Sequence, residues 1–325
     1  MWDKLKVVFI IALGVSLVVG CQPKPIPSGV APTISPLASP IVTPVSSPTE
    51  TTSVLSRLNG NVAFHSDRNG GLQVYILEGK TGEVIQLTHL ATNFEPSWSP
   101  DCQSLVFAST RDGANSFELY TMHADGSQQE RLFENVPPDD WAPAWSPQGD
   151  LIAYQSNESG VINVCLTYLD GVRFGCMLGN DIKAVPSWSP DGNSLLFVSD
   201  RSGAYNIYAT ELNNLAEIVQ ITNTEFEDMH PKYSPDGELI TFASQRLGNY
   251  DIYLMNADGT NEIQLTYTDG AELSPSWVGN DQIIYAAEHN GNWDIFIMNR
   301  DGSNVEPLIA SPSMEKWPMW CPFQD

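Results

Sequence analysis

Pro186-Ser187-Trp188-Ser189-Pro190-Asp191-Gly192 decides the fold, because the same pattern returns along the chain. Pro96-Ser97-Trp98-Ser99-Pro100-Asp101, Pro143-Ala144-Trp145-Ser146-Pro147 and Pro231-Lys232-Tyr233-Ser234-Pro235-Asp236-Gly237 are close copies. Pro275-Ser276-Trp277 and Pro318-Met319-Trp320-Cys321-Pro322 are weaker ones. The aromatic positions 98, 145, 188, 233, 277 and 320 are spaced by 47, 43, 45, 44 and 43 residues, the length of one propeller blade.

Each copy continues with a short apolar run, such as Leu195-Leu196-Phe197-Val198, then a loop and a second run, such as Ile252-Tyr253-Leu254-Met255. An Asp-Gly turn follows at Asp125-Gly126, Asp170-Gly171, Asp258-Gly259 and Asp301-Gly302. Short β-branched and aromatic runs between turn residues read as strands, and Asp-Gly supplies the φ > 0 positions that tight hairpins need. Four strands per repeat make a blade. The first copy lacks a Pro-x-Trp strand, and the last Pro-x-Trp strand stands alone at the other end. The reading is therefore all-β: a six-bladed propeller over residues 57–325, its ring closed by a C-terminal inner strand joining three N-terminal strands. No stretch keeps a helical period, so no helix is expected after residue 20.

Composition limits the function. The 325 residues carry 15 Lys+Arg against 39 Asp+Glu, a net charge of -24, which excludes nucleic acid and an anionic bilayer surface as expected partners. At 42% hydrophobic the chain can bury a core.

The N-terminus is read as an address. Lys4 and Lys6 precede an apolar run over residues 7–19, too short to span a bilayer, and residues 1–20 are expected to be a signal peptide. Leu17-Val18-Val19-Gly20-Cys21 resembles the lipobox of bacterial lipoproteins, which implies lipidation of Cys21 and an exported, membrane-anchored protein facing the periplasm or the outer cell surface. Residues 21–56, rich in Pro, Ser and Thr, are expected to be a linker; at about 3.1 Å per residue it would reach roughly 110 Å.

The Trp-Ser-Pro-Asp-Gly and Ile-Tyr-x-Met-Asn-x-Asp-Gly patterns are similar to the TolB-type β-propeller repeat, also called PD40 or WD40-like. The resemblance covers residues 57–325 and is specific for fold, much less so for function. It implies an envelope protein that binds other proteins; the family also supplies the propellers of peptidases and of some polysaccharide lyases.

Catalysis is not expected. A Gly-x-Ser-x-Gly elbow is missing from the sequence, and His65, His89, His123, His230 and His289 occupy different positions within their repeats, which disfavours a metal-dependent lyase. No run has the spacing of an EF-hand, and Asp-Gly is explained by turn geometry, so no metal or cofactor is expected.

Loops entering the inner strands of a propeller gather around one mouth of the central channel, where binding sites favour loops. Asn93, Asp140, Lys183, Asp228, Glu272 and Glu315 each stand three residues before a motif Pro, with Glu95, Trp141, His230 and Trp317 in the same segments. Repeat symmetry predicts an acidic rim with aromatic anchors, suited to a protein or peptide with a basic segment, although Arg68, Arg111, Arg201 and Arg246 lie on the same face. A second reading uses Trp141 and Trp317 as stacking platforms for a cell-wall glycan. The chain is expected to be a monomer that meets the membrane only through its lipid.

Cys102, Cys165, Cys176 and Cys321 form an even set in an exported chain. Cys165 and Cys176 flank Asp170-Gly171: a two-residue turn would place them opposite each other, whereas a three-residue loop with a Gly bulge would send them to opposite faces. Cys102 takes the place of a turn Gly and Cys321 that of a Ser in the closing strand, so a bond between them would clasp the ring. Unbridged buried thiols are the alternative.

Overall fold

The computed structural model describes residues 51–325 apart from 114–115, 134–138 and 324–325. The expected signal peptide, Cys21 and most of the linker lie outside the described residues. Six four-stranded antiparallel sheets follow one another. Five are simple meanders that begin with the inner strands β4 (Asn93–Trp98), β8 (Asp140–Trp145), β12 (Lys183–Trp188), β16 (Asp228–Tyr233) and β20 (Glu272–Val278). The sixth joins the two ends of the propeller: β24 (Glu315–Pro322) pairs with β1 (Gly60–Ser66), followed by β2 (Gln73–Leu77) and β3 (Val84–Gln86). One missing strand and one spare strand thus complete each other.

Core residues lie between blades. One cluster joins Phe64 and Tyr75 of the closing blade to Ile284 and Ile295 of the fifth, and another joins Ala63 and Val74 to Trp98 and Phe107 of the first. The motif tryptophans tie neighbouring blades by a hydrogen bond as well as by packing. Trp98, Trp188 and Trp277 donate their indole N–H to the backbone carbonyls of Met319, Ala144 and Lys232 on the preceding inner strand, at 2.9, 2.9 and 3.2 Å. The motif Ser and Asp act locally: Ser189 Oγ donates to Asp191 Oδ1 and accepts from the Ser194 N–H, an arrangement repeated at Ser99 and Ser234.

One element was not anticipated. Thr51–Leu58 is a two-turn helix, α1, in a stretch read partly as linker. Val54 and Leu58 are buried against the cluster between the fifth and closing blades, Leu58 O accepts from Trp320 Nε1 at 2.8 Å, and Asn59 ends the helix at a φ of 40°. Eight residues are too few to show a period, and the helix owes its stability to this docking. Among the described residues no helix is long and apolar enough to cross a membrane.

Two disulfides are present, Cys102–Cys321 and Cys165–Cys176. Cys102 has a φ of 57°, consistent with the turn-glycine position it occupies, and its bond joins the first blade to the closing strand. The hairpin between β10 (Asn163–Tyr168) and β11 (Arg173–Cys176) settles the other pairing. Its loop is the three-residue kind: Tyr168 N–H donates to Val172 O, and Gly171 has a φ of 80°. A second irregularity at Phe174 shifts the register back, and Cys165 stands opposite Cys176.

Candidate functional site

Every inner strand carries a bulge at its motif proline. In the first blade Phe94 opposes Ala108 and Ser97 opposes Val106, so Glu95 and Pro96 together face Phe107. The same shift occurs in the other five blades. A bulge is where a strand can hold a proline, which has no N–H for the ladder. The residue before each proline takes a positive φ of 48 to 58°: Glu95, Ala142, Val185, His230, Ser274 and Trp317. These six equivalent residues form a ring on the channel-lining strands, and Glu95, His230 and Trp317 of the expected site belong to it. Trp141 does not, because it stands one position earlier, as Lys316 does in the closing blade.

At three of the six bulges the pre-proline N–H reaches an acceptor on the preceding blade. Ala142 N–H donates to Glu95 Oε2 at 2.8 Å, and Ser274 N–H donates to His230 Nδ1 at 3.4 Å. The residue preceding Glu95 in the ring is Trp317, which has no acceptor, and His65 of β1 takes its place, receiving Glu95 N–H on Nδ1 at 3.2 Å. The Trp317 ring packs edge-on against His230 with centroids 5.1 Å apart. Glu95 Oε1, His65 Nε2 and His230 Nε2 are buried and find no hydrogen-bond partner among the described residues. Burial pushes the Glu95 carboxyl up to about 8. It pushes both imidazoles down to about 3, helped by nearby lysine charge: Lys316 at His65, Lys232 and Lys316 at His230.

The expected acidic rim takes a different form. Asp140, Asp228, Glu272 and Glu315 head their inner strands, but all four are buried. Glu315 accepts from Arg68 at 2.8 Å and Asp228 from Arg246 at 3.2 Å. Each arginine also donates to the Ser two residues before it and lies over an aromatic pair, Phe64 and Tyr75 or Phe242 and Tyr253. Arg111 repeats the arrangement with Asn93 as acceptor; in the third blade Lys183 holds that position and Arg201 turns to Asp181. These groups are latches within blades. The two carboxyls with no arginine latch, Asp140 and Glu272, are lifted by burial to about 7. The aromatic anchors are covered too: Trp141 is 3% exposed and Trp317 6%, which removes the stacking platforms that a glycan site needs.

Large apolar side chains stand out among the polar loops of the mouth. In a meander blade the loops that enter the inner strands, and those between second and third strands, emerge at one end. Leu90, Leu178, Phe226 and Tyr267 sit in four of the entering loops and Leu247 in a loop between second and third strands, with 40 to 73% of each exposed. Sequence reasoning passed over them because isolated apolar residues in loops carry no period. Lys316, Lys232 and His65 were also missed as site residues, although numbering each copy from its proline brings the two lysines onto channel-lining strands. Among the described residues no three His, Cys, Asp or Glu side chains are arranged to hold a metal ion.

Comparisons with known proteins agree with this architecture. The structure is similar to TolB from Acinetobacter baumannii, with a TM-score of 0.71 at 19% identity over 81% of this chain and 67% of that one. It is also similar to the putative TolB from Agrobacterium tumefaciens, with a TM-score of 0.63 at 22% identity over 77% and 89%. A stretch of 80 residues is 36% identical to the uncharacterized peptidase YuxL of Bacillus subtilis, covering 24% of this chain and only 12% of that protein. The family model for the TolB beta propeller domain, PD40, matches residues 114–324. With that match over most of its length, and with the six-bladed ring the family's repeat implies, the chain belongs to the TolB β-propeller family.

Proposed function

We propose that this protein is a non-catalytic, exported binding module that docks a protein partner on the channel-mouth face. The observation that carries the reading is the set of large apolar side chains held out by the loops of that one face, at Leu90, Leu178, Phe226, Leu247 and Tyr267. Separate blades supply them, so a partner spanning the mouth would bury several at once, gaining from the apolar area removed from water and from Tyr267, a residue type enriched among interface anchors. The acidic character of the chain steers approach and favours partners of basic character, while the buried carboxylates take no direct part. Two disulfides and the apolar leader with its Cys21 support an extracytoplasmic setting and attachment through a lipid. The peptidase in the name of the Bacillus relative does not transfer, because the shared stretch is 12% of that protein.

The test is affinity capture from the native envelope with the full-length chain as bait, beside a triple variant carrying Leu90→Ser, Leu178→Ser and Tyr267→Ser. All three residues are exposed, so the variant is expected to melt with the parent. The expected result is a protein retained by the parent whose affinity for the variant, measured on the purified pair, falls by about tenfold or more. Capture of the same set by both baits, with equal affinities, would overturn the reading.

A further inference from the structure

Acceptance of a backbone N–H by Nδ1 fixes the protonation pattern of the two channel histidines. That nitrogen carries no proton, so in the neutral ring the proton lies on Nε2. His65 and His230 therefore each present a buried Nε2–H donor with no acceptor among the described residues. An unmet buried donor is unfavourable and favours any acceptor that reaches it. The same pattern removes the lone pair that a metal would need at Nε2.

A second observation concerns charge. Residues 51–325 contain four lysines, and three of them, Lys183, Lys232 and Lys316, stand on channel-lining strands of a strongly acidic protein. Lys183 is paired with Asp181 at 3.2 Å. Lys232 has no carboxylate partner among the described residues and stands two residues from His230 on β16. It is half-buried, and the loss of water around it lowers its ammonium to about 8. Lys316 turns instead to the Trp293 ring, its Nζ 3.5 Å from the centroid and otherwise unpartnered, and burial lowers its ammonium to about 7 against the opposing charge of Glu288. Glu95, raised to about 8, is uncharged at neutral pH and does not repel an anion.

We infer that the channel binds a carboxylate at the level of the pre-proline ring, accepted by the Nε2–H of His230 beside the Trp317 ring and held by the charge of Lys232. The site lies on the inner strands, apart from the exposed loops, and stands whether or not those loops dock a protein. The carboxylate is that of a free small acid or of a peptide C-terminus entering the channel.

Acetate and two neutral tripeptides, one with a free C-terminus and one amidated, would be titrated into the full-length chain. Binding would be followed by calorimetry and by the imidazole 15N–1H resonances, with chloride at equal ionic strength as the reference. Acetate is expected to shift the His230 Nε2 resonance. Lys232→Met is expected to weaken binding by about tenfold and Lys232→Arg to keep it within about threefold, their melting temperatures reporting the fold. Tighter binding of the free-acid tripeptide than of acetate, with none by the amide, assigns the site to a chain terminus; equal binding assigns it to a small acid. If no carboxylate moves His230, if chloride moves it equally, or if Lys232→Met binds as the parent does, the proposal is overturned.

Discussion

Carboxylates at the heads of the inner strands divide by whether an arginine reaches them. Asp228 and Glu315 are bonded by Arg246 and Arg68, although burial still raises Glu315, whereas Asp140 and Glu272 have only neutral or backbone donors and are lifted by burial to about 7. The folded state therefore holds protons that the unfolded chain, whose carboxyls titrate near about 4, has already released. From about pH 4 to pH 7 these two groups make stability fall as pH rises, and above that window their cost is complete. The double variant Asp140→Asn, Glu272→Gln removes both titrations and keeps the shape. Its thermal unfolding is expected to show a gain of about 1–2 kcal/mol at pH 8 that shrinks toward pH 5. An equal gain at both values would mean that charge burial is not the cause.

Among the elements, the inner strand is the least regular and the most informative. Its bulge places a residue with a side chain in the left-handed region immediately before a proline, six times over. For a residue other than glycine that conformation costs about 1–2 kcal/mol, borne here by the packing of aromatic residues opposite each bulge and, at Glu95, Ala142 and Ser274, by an acceptor on the preceding blade. At Ala142 the side chain is only a methyl group, so Ala142→Gly relieves the backbone with little lost packing. Denaturant melts are expected to show it more stable by about 0.5–1 kcal/mol. A loss of that size would indicate that the Cβ packs more usefully than the geometry suggests.

At the scale of the whole molecule, ring closure depends on residues from opposite ends of the propeller. β24 pairs with β1, α1 covers that junction, and Cys102–Cys321 ties the closing strand to the first blade across 219 residues of chain. Cross-linking so long a loop restricts the unfolded chain by about 5 kcal/mol, against about 3 kcal/mol for the 11-residue separation of Cys165–Cys176. Cys102→Ser with Cys321→Ser is expected to lower the melting temperature more than Cys165→Ser with Cys176→Ser under non-reducing conditions. The reverse order would show that closure by sheet and helix already suffices.

The repeat determined the fold from sequence alone, because Pro-x-Trp-Ser-Pro and Asp-Gly impose local geometry that any copy must satisfy and because the spare strand at one end matches the missing one at the other. Both cysteine pairs were legible as candidates, but the Cys165–Cys176 register depended on an irregularity at Phe174 that no turn rule announces. The site was legible only in part. Glu95, His230 and Trp317 stood out in sequence, yet their common place before the prolines acquires meaning only once the bulge turns N–H groups toward the preceding blade. Tertiary structure alone decided that four acidic residues are buried and two of them latched by arginine, that two tryptophans are covered, and that His65 joins a ring to which its strand does not belong. Burial, charge pairing and hydrogen-bond direction are set by neighbours that lie far apart in the chain, 30 residues for Glu95 with His65 and 47 for Ala142 with Glu95.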